Sequence, residues 1–394
     1  MKTRTLAIGA AIVLGLAVAV LFVMAWRYSN DLLLPPRPST LREQRVFAAG
    51  PGWVRISRDH ESEATGTWAL EWPAGCGWVD SVRSMDDTSV VRDYRATRGT
   101  LPIGDWVSVR GVSKTADPGS LFGLPFETVD YPGPLGHYPA WFVPSGGADT
   151  TWFVAVHGHG ASRAEALRTV GTLAGRGATF LVIAYRNDAG APRSPDGFVH
   201  LGATEWQDLE AAVRYARARG ARRVVPVGYS MGGQIVLQFL RHSDLVREVD
   251  GAVLESPMLD WSAGLAYRAR VLGIPPLVVV PVRGVATWRA GLDWTALDQV
   301  RDRAPLPVPV LLFHGAGDRF APIAVSEAFY RAHPREVTFV RYETGNHVEA
   351  WNVDPATYAD TLERWLDTHH LLSAVRDSIS PPAPHTRPTP GGRP

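Results

Sequence analysis

The sequence has almost no cysteine and almost no net charge. Its 394 residues include a single cysteine, Cys76, so an internal disulfide framework is excluded and a cysteine-based metal site would have to recruit other ligands. Cys76 is therefore expected to be a small buried apolar residue. The formal net charge of +1 gives no reason to expect nucleic acid or another polyanion as a partner. The composition, 45% hydrophobic and 20% charged, is that of a globular protein with one large domain and a smaller one.

Charged residues are also absent from one long run near the N-terminus. Residues 6–26, LAIGAAIVLGLAVAVLFVMAW, match the ~20 residues that a helix needs to cross a bilayer. A cleaved signal peptide is the alternative, but its apolar core is usually only about 7 to 15 residues long. Residues 1–30 are therefore predicted to be a single-pass transmembrane signal anchor.

The charges on either side of this run give opposing indications about orientation. Lys2 and Arg4 favour an N-terminus inside the cell, which would place the body of the protein on the extracytoplasmic side. Arginines that follow the run favour the reverse; they are Arg27, Arg37, Arg42 and Arg45. The extracytoplasmic side is the prediction, and the opposite orientation stays open.

Changes in composition divide the rest of the chain. Prolines make residues 31–40 a stiff spacer. Residues 41–125 are predicted to be a small β-rich subdomain, because short alternating runs are separated there by glycine and proline. Those runs include residues 53–56, 68–72 and 106–110. At the other end, the proline-rich residues 371–394 are predicted to be a disordered tail.

Residues 126–370 alternate between short apolar runs and helical patterns. The predicted strands, after a hairpin at 126–143, are residues 153–156, 180–184, 224–227, 252–254, 308–313 and 337–342. The predicted helices are residues 163–173, 204–219, 234–241, 324–331 and 357–366. Buried strands that alternate with helices indicate an α/β domain with a mostly parallel, doubly wound sheet. In such sheets, functional sites form at the carboxyl ends of the strands.

One of these strands ends in a serine between glycines. Residues 224–233, VVPVGYSMGG, contain G-x-S-x-G directly before a helical pattern. Strand, sharp turn and helix form a nucleophile elbow, in which Ser230 is held in strained backbone geometry and the glycines permit tight packing. The helix N-terminus would direct the Met231 amide at an oxyanion forming beside Ser230. A glycine-rich turn without chemistry is the alternative for this motif alone.

Three further strands end in polar motifs that would lie at the same edge of the sheet. The motif HGHG supplies the His159 amide as the second oxyanion donor, and His157 is interpreted as a loop-bracing residue. The motifs HGAGD and GNH present Asp318 and His347. A triad needs a carboxylate to fix the tautomer of its histidine and stabilise the imidazolium, and the chain order Ser230, Asp318, His347 is one of the known triad orders.

Two other aspartates could supply the acid. Asp260 lies in residues 257–300, a segment expected to be a lid. Asp354 precedes Pro355 at a predicted helix start, where N-capping is a sufficient role. Asp318 is the preferred acid, because it alone follows a strand and a Gly-x-Gly loop.

Together, the motifs HGHG, GYSMGG, HGAGD and GNH resemble those of the α/β-hydrolase superfamily of serine hydrolases, over roughly residues 126–370. Within the superfamily, the segments YRND and EWQDL are similar to membrane-associated lysophospholipase-like and prolyl-oligopeptidase-like branches. The resemblance implies an α/β-hydrolase fold with a lid. It also implies that Ser230 is the nucleophile, His347 the general base and then acid, and Asp318 the residue that orients His347.

The expected reaction is hydrolysis of a carboxylic ester through an acyl-enzyme. No metal and no organic cofactor are expected, because the sequence has no HExxH motif and no carboxylate cluster beside His157 and His159. The anchor and the apolar lid segment VLGIPPLVVVPV favour a small or lipid-like acyl ester as the substrate. A serine peptidase, an acyltransferase and, last, a noncatalytic binding protein are the alternatives.

Overall fold

The apolar run at the N-terminus forms one long helix. The computed structural model describes residues 2–35, 43–145 and 151–372, and its first element is helix α1 (Lys2–Leu33). The segment Ile8–Leu33 is long and apolar enough to cross a membrane, with a mean hydropathy of 2.8, although a signal sequence meets the same criteria. Half of the predicted spacer and nearly all of the predicted tail lie outside the described residues.

Six strands then close into a barrel, in which every neighbouring pair is antiparallel. They are β1 (Gln44–Gly50), β2 (Trp53–Ser57), β3 (Trp68–Trp72), β4 (Gly75–Met85), β5 (Ser89–Arg98) and β6 (Trp106–Arg110), and their order around the barrel is β1-β2-β5-β4-β3-β6. Two short helices accompany them, α2 (His60–Glu63) and α3 (Pro118–Phe122). The β-rich subdomain is therefore confirmed.

The interior of the barrel explains the tryptophans of this region. Trp68 and Trp72 are buried against Val54 and Ile56, so they belong to the barrel core. Cys76 is fully buried, as expected. The sequence patterns predicted β2, β3 and β6 but missed the other three strands, because β5 carries four charged residues and β4 begins Gly-Cys-Gly and ends in a polar stretch.

The second sheet has eight strands. The antiparallel hairpin β7 (Glu127–Gly133) and β8 (Gly136–Val143) forms one edge. Six parallel strands follow: β9 (Thr151–Val156), β10 (Thr179–Ile183), β11 (Arg223–Tyr229), β12 (Ala252–Glu255), β13 (Val310–Gly315) and β14 (Val337–Tyr342). The order is β14-β13-β12-β11-β9-β10-β8-β7. The mostly parallel sheet and its opening hairpin are confirmed.

Helices cover both faces of this sheet. The helices after β9 are α4 (Leu167–Leu173), α5 (Trp206–Ala218), α6 (Met231–His242), α7 (Trp261–Val271), α8 (Val279–Ala290), α9 (Ile323–Ala332), α10 (Ala350–Val353) and α11 (Pro355–Thr368), and of these α7 and α8 form a cap and are not part of the sheet layers. Neighbouring residues of β9 point to opposite faces, so Val154 packs with α5 and α6 while Phe153 packs with α4 and α11. The predicted helix at residues 163–173 begins as a 3-10 turn, Arg163–Ala166.

The segment predicted to be a lid forms a small cap between β12 and β13, built from α7 and α8. Helix α1 packs on this cap, where Ala25 is fully buried against Val278 and Val282. The guanidinium of Arg289 donates hydrogen bonds of 2.7 Å to Ser29 Oγ and to Asn30 Oδ1. The carboxyl end of α1 is thus an integral part of the folded body.

A buried asparagine forms several of the hydrogen bonds between the barrel and the larger domain. Asn352, in α10, donates through Nδ2 to the carbonyl oxygens of Thr67 (2.8 Å) and Gly111 (2.6 Å). Its backbone carbonyl accepts from the Thr67 amide at 2.8 Å, and its Oδ1 accepts from Arg168 Nη1 at 2.9 Å. Every hydrogen-bonding group of the Asn352 side chain is used at this junction.

We expect Asn352→Ala to lower the free energy of unfolding by about 2–4 kcal/mol, because it leaves the carbonyls of Thr67 and Gly111 buried without a donor. Urea denaturation of the full chain in detergent, followed by tryptophan fluorescence, measures the loss. Asp360→Ala on the exposed face of α11 is the control and should change stability by no more than about 0.5 kcal/mol. Equal stability of the two variants would contradict the prediction.

Candidate active site

Ser230 lies in the tight turn between β11 and α6. Its backbone has φ 51° and ψ −114°, a strained conformation for a residue with a side chain. A Cβ on Gly232 would lie 2.1 Å from the carbonyl oxygen of Val156, so no side chain fits at that position. The Ser230 amide donates to the Glu255 carbonyl at 3.0 Å, which fixes the turn against β12. The turn has the elbow geometry that the sequence predicts.

Three side chains that are far apart in the sequence meet beside this turn. His347 Nε2 lies 2.8 Å from Ser230 Oγ, and His347 Nδ1 lies 2.7 Å from Asp318 Oδ2. Because a carboxylate can only accept, Nδ1 carries the proton and Nε2 is left to accept the hydrogen of the serine hydroxyl. This is the arrangement in which an imidazole can remove a proton from serine.

The carboxylate of Asp318 is fully held by its surroundings. Its Oδ1 accepts from the amides of Phe320 (2.7 Å) and Ala321 (2.8 Å). Burial opposes ionisation of Asp318, but the charges and hydrogen bonds of His347 and His314 outweigh burial and hold the pKa of this carboxyl well below its ordinary value. Asp318 is therefore ionised and correctly oriented at neutral pH.

The sequence analysis did not single out His314, the second histidine at this carboxylate. Its Nε2 lies 3.2 Å from Asp318 Oδ2 and 3.0 Å from the Ala321 carbonyl oxygen. Its Nδ1 lies 2.8 Å from Ser326 Oγ. Two acceptors face Nε2, so Nε2 carries the proton, and the serine hydroxyl can donate to Nδ1. In the sequence, His314 is visible only as the first residue of HGAGD. The motif does not indicate which side chain His314 contacts.

The two rival aspartates cap helices. Asp260 accepts through Oδ1 from the amides of Ser262 and Ala263 at the start of α7. Asp354 accepts from the Thr357 amide at 3.0 Å at the start of α11. Both contacts are ordinary N-caps. Among the three candidate aspartates, only Asp318 contacts His347.

Buried groups at the end of β12 hold the loop that carries His347. Ser256 Oγ accepts from the Val348 amide at 3.1 Å, and Glu255 Oε1 accepts from the Ala350 amide at 3.0 Å. Val348 has φ 58°, so the chain turns sharply directly after His347. The Arg168 guanidinium donates to the Val348 carbonyl. The supporting roles of Glu255, Ser256 and Arg168 were not predicted, because all three residues lie far from His347 in the sequence.

The HGHG loop after β9 approaches the serine closely. A Cβ on Gly158 would lie 2.9 Å from Ser230 Cβ, and the Gly158 amide is already engaged by Glu165 Oε2 at 2.7 Å. Within the described part of the chain, the amides of His159 and Met231 have no hydrogen-bond acceptor. Their assignment as an oxyanion pair remains a prediction that this placement favours.

His157 braces the same loop. Its Nε2 lies 2.8 Å from Asp188 Oδ2, its Nδ1 lies 2.9 Å from the Gly158 carbonyl oxygen, and its ring stacks on Tyr185 with 4.5 Å between centroids. The segments YRND and EWQDL also bind each other, since Arg186 and Asp208 form a buried ion pair at 2.8 Å. These residues support the HGHG loop and its neighbours, and none of the contacts named here is with Ser230.

The barrel forms one wall of the site. A cleft of about 280 Å³ separates it from the larger domain, and His347 lies at the inner end of this cleft. Its polar lining includes Glu61 and Lys114 from the barrel side and Glu165 and Glu349 from the opposite side. Among the described residues, no cluster of three or more His, Cys, Asp or Glu side chains could hold a metal ion.

Comparisons with known proteins agree with this architecture. A family model described as "Serine aminopeptidase, S33" matches residues 150–290. An esterase from Pyrococcus furiosus, solved in three crystal forms, is 18% identical. Two of these forms give TM-scores of 0.52 and 0.50, and their alignments cover 64% of this chain and 94% and 96% of the esterase. A serine hydrolase without a lid from Xanthomonas campestris is 15% identical with a TM-score of 0.46, and covers 64% of this chain and 97% of its own. No curated protein matches the chain by sequence.

At 18% identity, the likeness to the Pyrococcus enzyme establishes a shared fold. The fold and the family match together identify the chain as a hydrolase of the α/β-hydrolase superfamily. The resemblance inferred from the four strand-end motifs is confirmed at this level. The six-stranded barrel precedes the part of the chain that the family model covers.

The two histidines near the serine should behave differently when replaced. We expect His347→Gln to slow covalent labelling of the full chain by a fluorophosphonate probe about 100-fold or more, because glutamine cannot take the serine proton. His157→Gln, the matched control, should label within about tenfold of the wild type, because His157 binds the Gly158 carbonyl and Asp188 and stacks on Tyr185, and does not accept the serine proton. Equal loss in both variants would contradict the assignment of His347.

Proposed function

We propose that this hydrolase cleaves carboxylic esters through an acyl-enzyme formed on Ser230, with no metal or organic cofactor. The observation that supports the proposal is the continuous chain of hydrogen bonds from Asp318 through His347 to Ser230, at 2.7 and 2.8 Å. A hydroxyl that donates to an oriented imidazole can be deprotonated as it attacks a carbonyl.

The first half of the reaction forms the acyl-enzyme. Ser230 Oγ bonds to the ester carbonyl carbon while its proton passes to His347 Nε2. The amides of His159 and Met231 stabilise the resulting oxyanion, and the position of Met231 at the N-terminus of α6 adds the field of the helix dipole. The imidazolium then donates this proton to the departing alkoxide, and the C–O bond to the alcohol breaks.

The second half releases the acid. Water donates a proton to His347 Nε2 as its oxygen bonds to the acyl carbon, and the proton then returns to Ser230 Oγ as the ester bond to the enzyme breaks. Asp318 stays ionised in both halves and stabilises each imidazolium, in accord with its lowered pKa.

The name of the matching family keeps an aminopeptidase as the second candidate. An aminopeptidase needs a free carboxylate for the substrate ammonium, and Glu165 and Glu349 line the cleft at His347. However, Glu165 already accepts from the Gly158 amide and Glu349 from the Asn346 amide, and burial raises the pKa of Glu349. Both of these carboxylates bind loop amides, but Glu61 of the barrel also lines the cleft, so the aminopeptidase stays the second candidate.

We further propose that α1 is retained as a single-pass anchor, with the catalytic domain on the extracytoplasmic side. The packing of Ala25 and its neighbours on the cap supports retention, because a signal peptide leaves the mature protein. The side is supported by Lys2 and Arg4, which precede the apolar run.

Replacement of the serine tests the reaction. Ser230→Ala should remove hydrolysis of p-nitrophenyl butyrate by the full chain, because no other group can carry the acyl intermediate, while circular dichroism stays unchanged. An unchanged rate would refute Ser230 as the nucleophile. The wild type should also prefer this ester over aminoacyl-p-nitroanilides; the opposite preference would establish the peptidase, and transfer to added alcohol in place of water would indicate an acyltransferase.

The anchor is tested separately by fractionation. In the bacterial membrane, the expressed full chain should stay in the pellet after an alkaline carbonate wash, and its N-terminal sequence should begin at or next to Met1. Release into the wash, or a new N-terminus near residue 26, would contradict a retained helix.

A further inference from the structure

An apolar pocket of about 370 Å³ lies between α1 and the cap. Helix α1 contributes Tyr28 and Leu32 to its wall, and the cap contributes apolar residues from α7, α8 and the turn between them. The apolar cap residues include Trp261, Leu265, Ala269, Val278, Val279 and Val282, and the charged residues Asp31 of α1 and Arg268 of α7 also line the pocket. Such a lining suits a hydrocarbon chain.

One wall of this pocket lies next to the candidate active site. Phe320 lines the pocket, and its ring centroid lies 5.3 Å from that of His347. Met258 also lines the pocket, and its amide donates to the Ser230 carbonyl at 3.0 Å. Phe320 and Met258 therefore contact both the pocket and the triad residues, so a chain that extends past them from the pocket would meet the nucleophile.

The outer side of the pocket is continuous with the surface expected to meet the membrane. Leu277, Val280 and Trp288 of the cap are 60–72% exposed, although they are large and apolar. Trp288 lies 6.1 Å from Trp26 of α1, between ring centroids. A cap that exposes apolar side chains next to a helix able to cross a membrane is suited to contact the lipid interface.

The two cavities on either side of the candidate active site differ in polarity. The cleft on the barrel side is lined by many charged residues, including Lys114 and Glu61, whereas the pocket beside the cap is mostly apolar, with Asp31 and Arg268 as its charged residues. A substrate that fills both sides must have one polar and one hydrocarbon end. This division favours an amphiphile over a small water-soluble ester.

We propose that the pocket between α1 and the cap holds the acyl chain of an ester drawn from the bilayer, with the polar part of that ester in the barrel cleft. The inference rests on the proposed ester hydrolysis and adds to it a substrate class, long-chain acyl esters, and a role for α1 as one wall of the binding site. The membrane helix is thus a specificity element as well as an anchor.

Adjacent valines of α8 allow a matched test. Val279 lines the pocket, whereas Val280 is 72% exposed on the outside of the same helix. Val279→Trp should lower kcat/KM for p-nitrophenyl laurate by about tenfold or more, because an indole occupies space that the chain needs. Val280→Trp should leave this value within about twofold. Full-length protein in detergent is the sample.

Short esters separate a blocked pocket from a damaged enzyme. Val280→Trp should hydrolyse p-nitrophenyl butyrate within about twofold of the wild type, and Val279→Trp should lose far less activity on butyrate than on laurate, because a short acyl group occupies little of the pocket. Ala269→Phe, on the facing helix α7, should repeat the pattern of Val279→Trp. Hydrolysis of 4-methylumbelliferyl oleate embedded in phosphatidylcholine vesicles should follow the laurate values.

The possible results distinguish the two proposals. Undiminished laurate hydrolysis by Val279→Trp and Ala269→Phe, or an equal loss for laurate and butyrate, would overturn the acyl pocket while ester hydrolysis itself stands. A wild type that hydrolyses no ester of any length, or hydrolysis that Ser230→Ala does not remove, would instead overturn the proposed function. Wild-type hydrolysis of laurate in detergent without hydrolysis of the vesicle ester would refute entry from the bilayer.

Discussion

The structure depends on a short chain of hydrogen bonds at one edge of a parallel sheet. Asp318, His347 and Ser230 follow β13, β14 and β11, whose carboxyl ends lie together because the three strands run in the same direction. The backbone therefore brings the three loops close without any help from the side chains. What remains is to hold each side chain in one orientation within a few tenths of an ångström.

Buried polar groups hold the triad side chains in their orientations. Asp318 is held by two backbone amides and His314, and the loop of His347 is held by Glu255 and Ser256 at the end of the intervening strand β12. Each of these contacts compensates the cost of burying a polar group, and each would leave an unpaired partner if it were lost. The rigidity of the site and the stability of this edge of the sheet consequently have the same origin.

Two additions to the hydrolase fold flank the site with opposite chemistry. The barrel adds a charged wall that Asn352 fixes in place, and the cap adds an apolar wall that α1 completes. Helix α1 packs on the cap through Ala25 and accepts hydrogen bonds from Arg289. Helix α1 and the cap are therefore packed as one body. The orientation of α1 would therefore fix the orientation of the cap beside the active site.

The sequence by itself determined the features that are local. A 21-residue apolar run, strands alternating with helices, and a serine in a glycine turn each have a signature within a few residues of the chain. Charged strands such as β5 escaped notice, because a barrel strand with one solvated face lacks a long apolar run. The order Ser230, Asp318, His347 could be proposed from motif order, although their hydrogen bonds could not be read from it.

Only the tertiary structure decided which distant residues touch. His314 meets Asp318, Asn352 meets Thr67, and α1 meets the cap, and nothing in the periodicity of any of these segments indicates its partner. The physical reason is that hydrophobic patterns specify that a face is buried but not against what. Partners are chosen by the way complete elements pack, so the walls of the site became visible only with the whole fold.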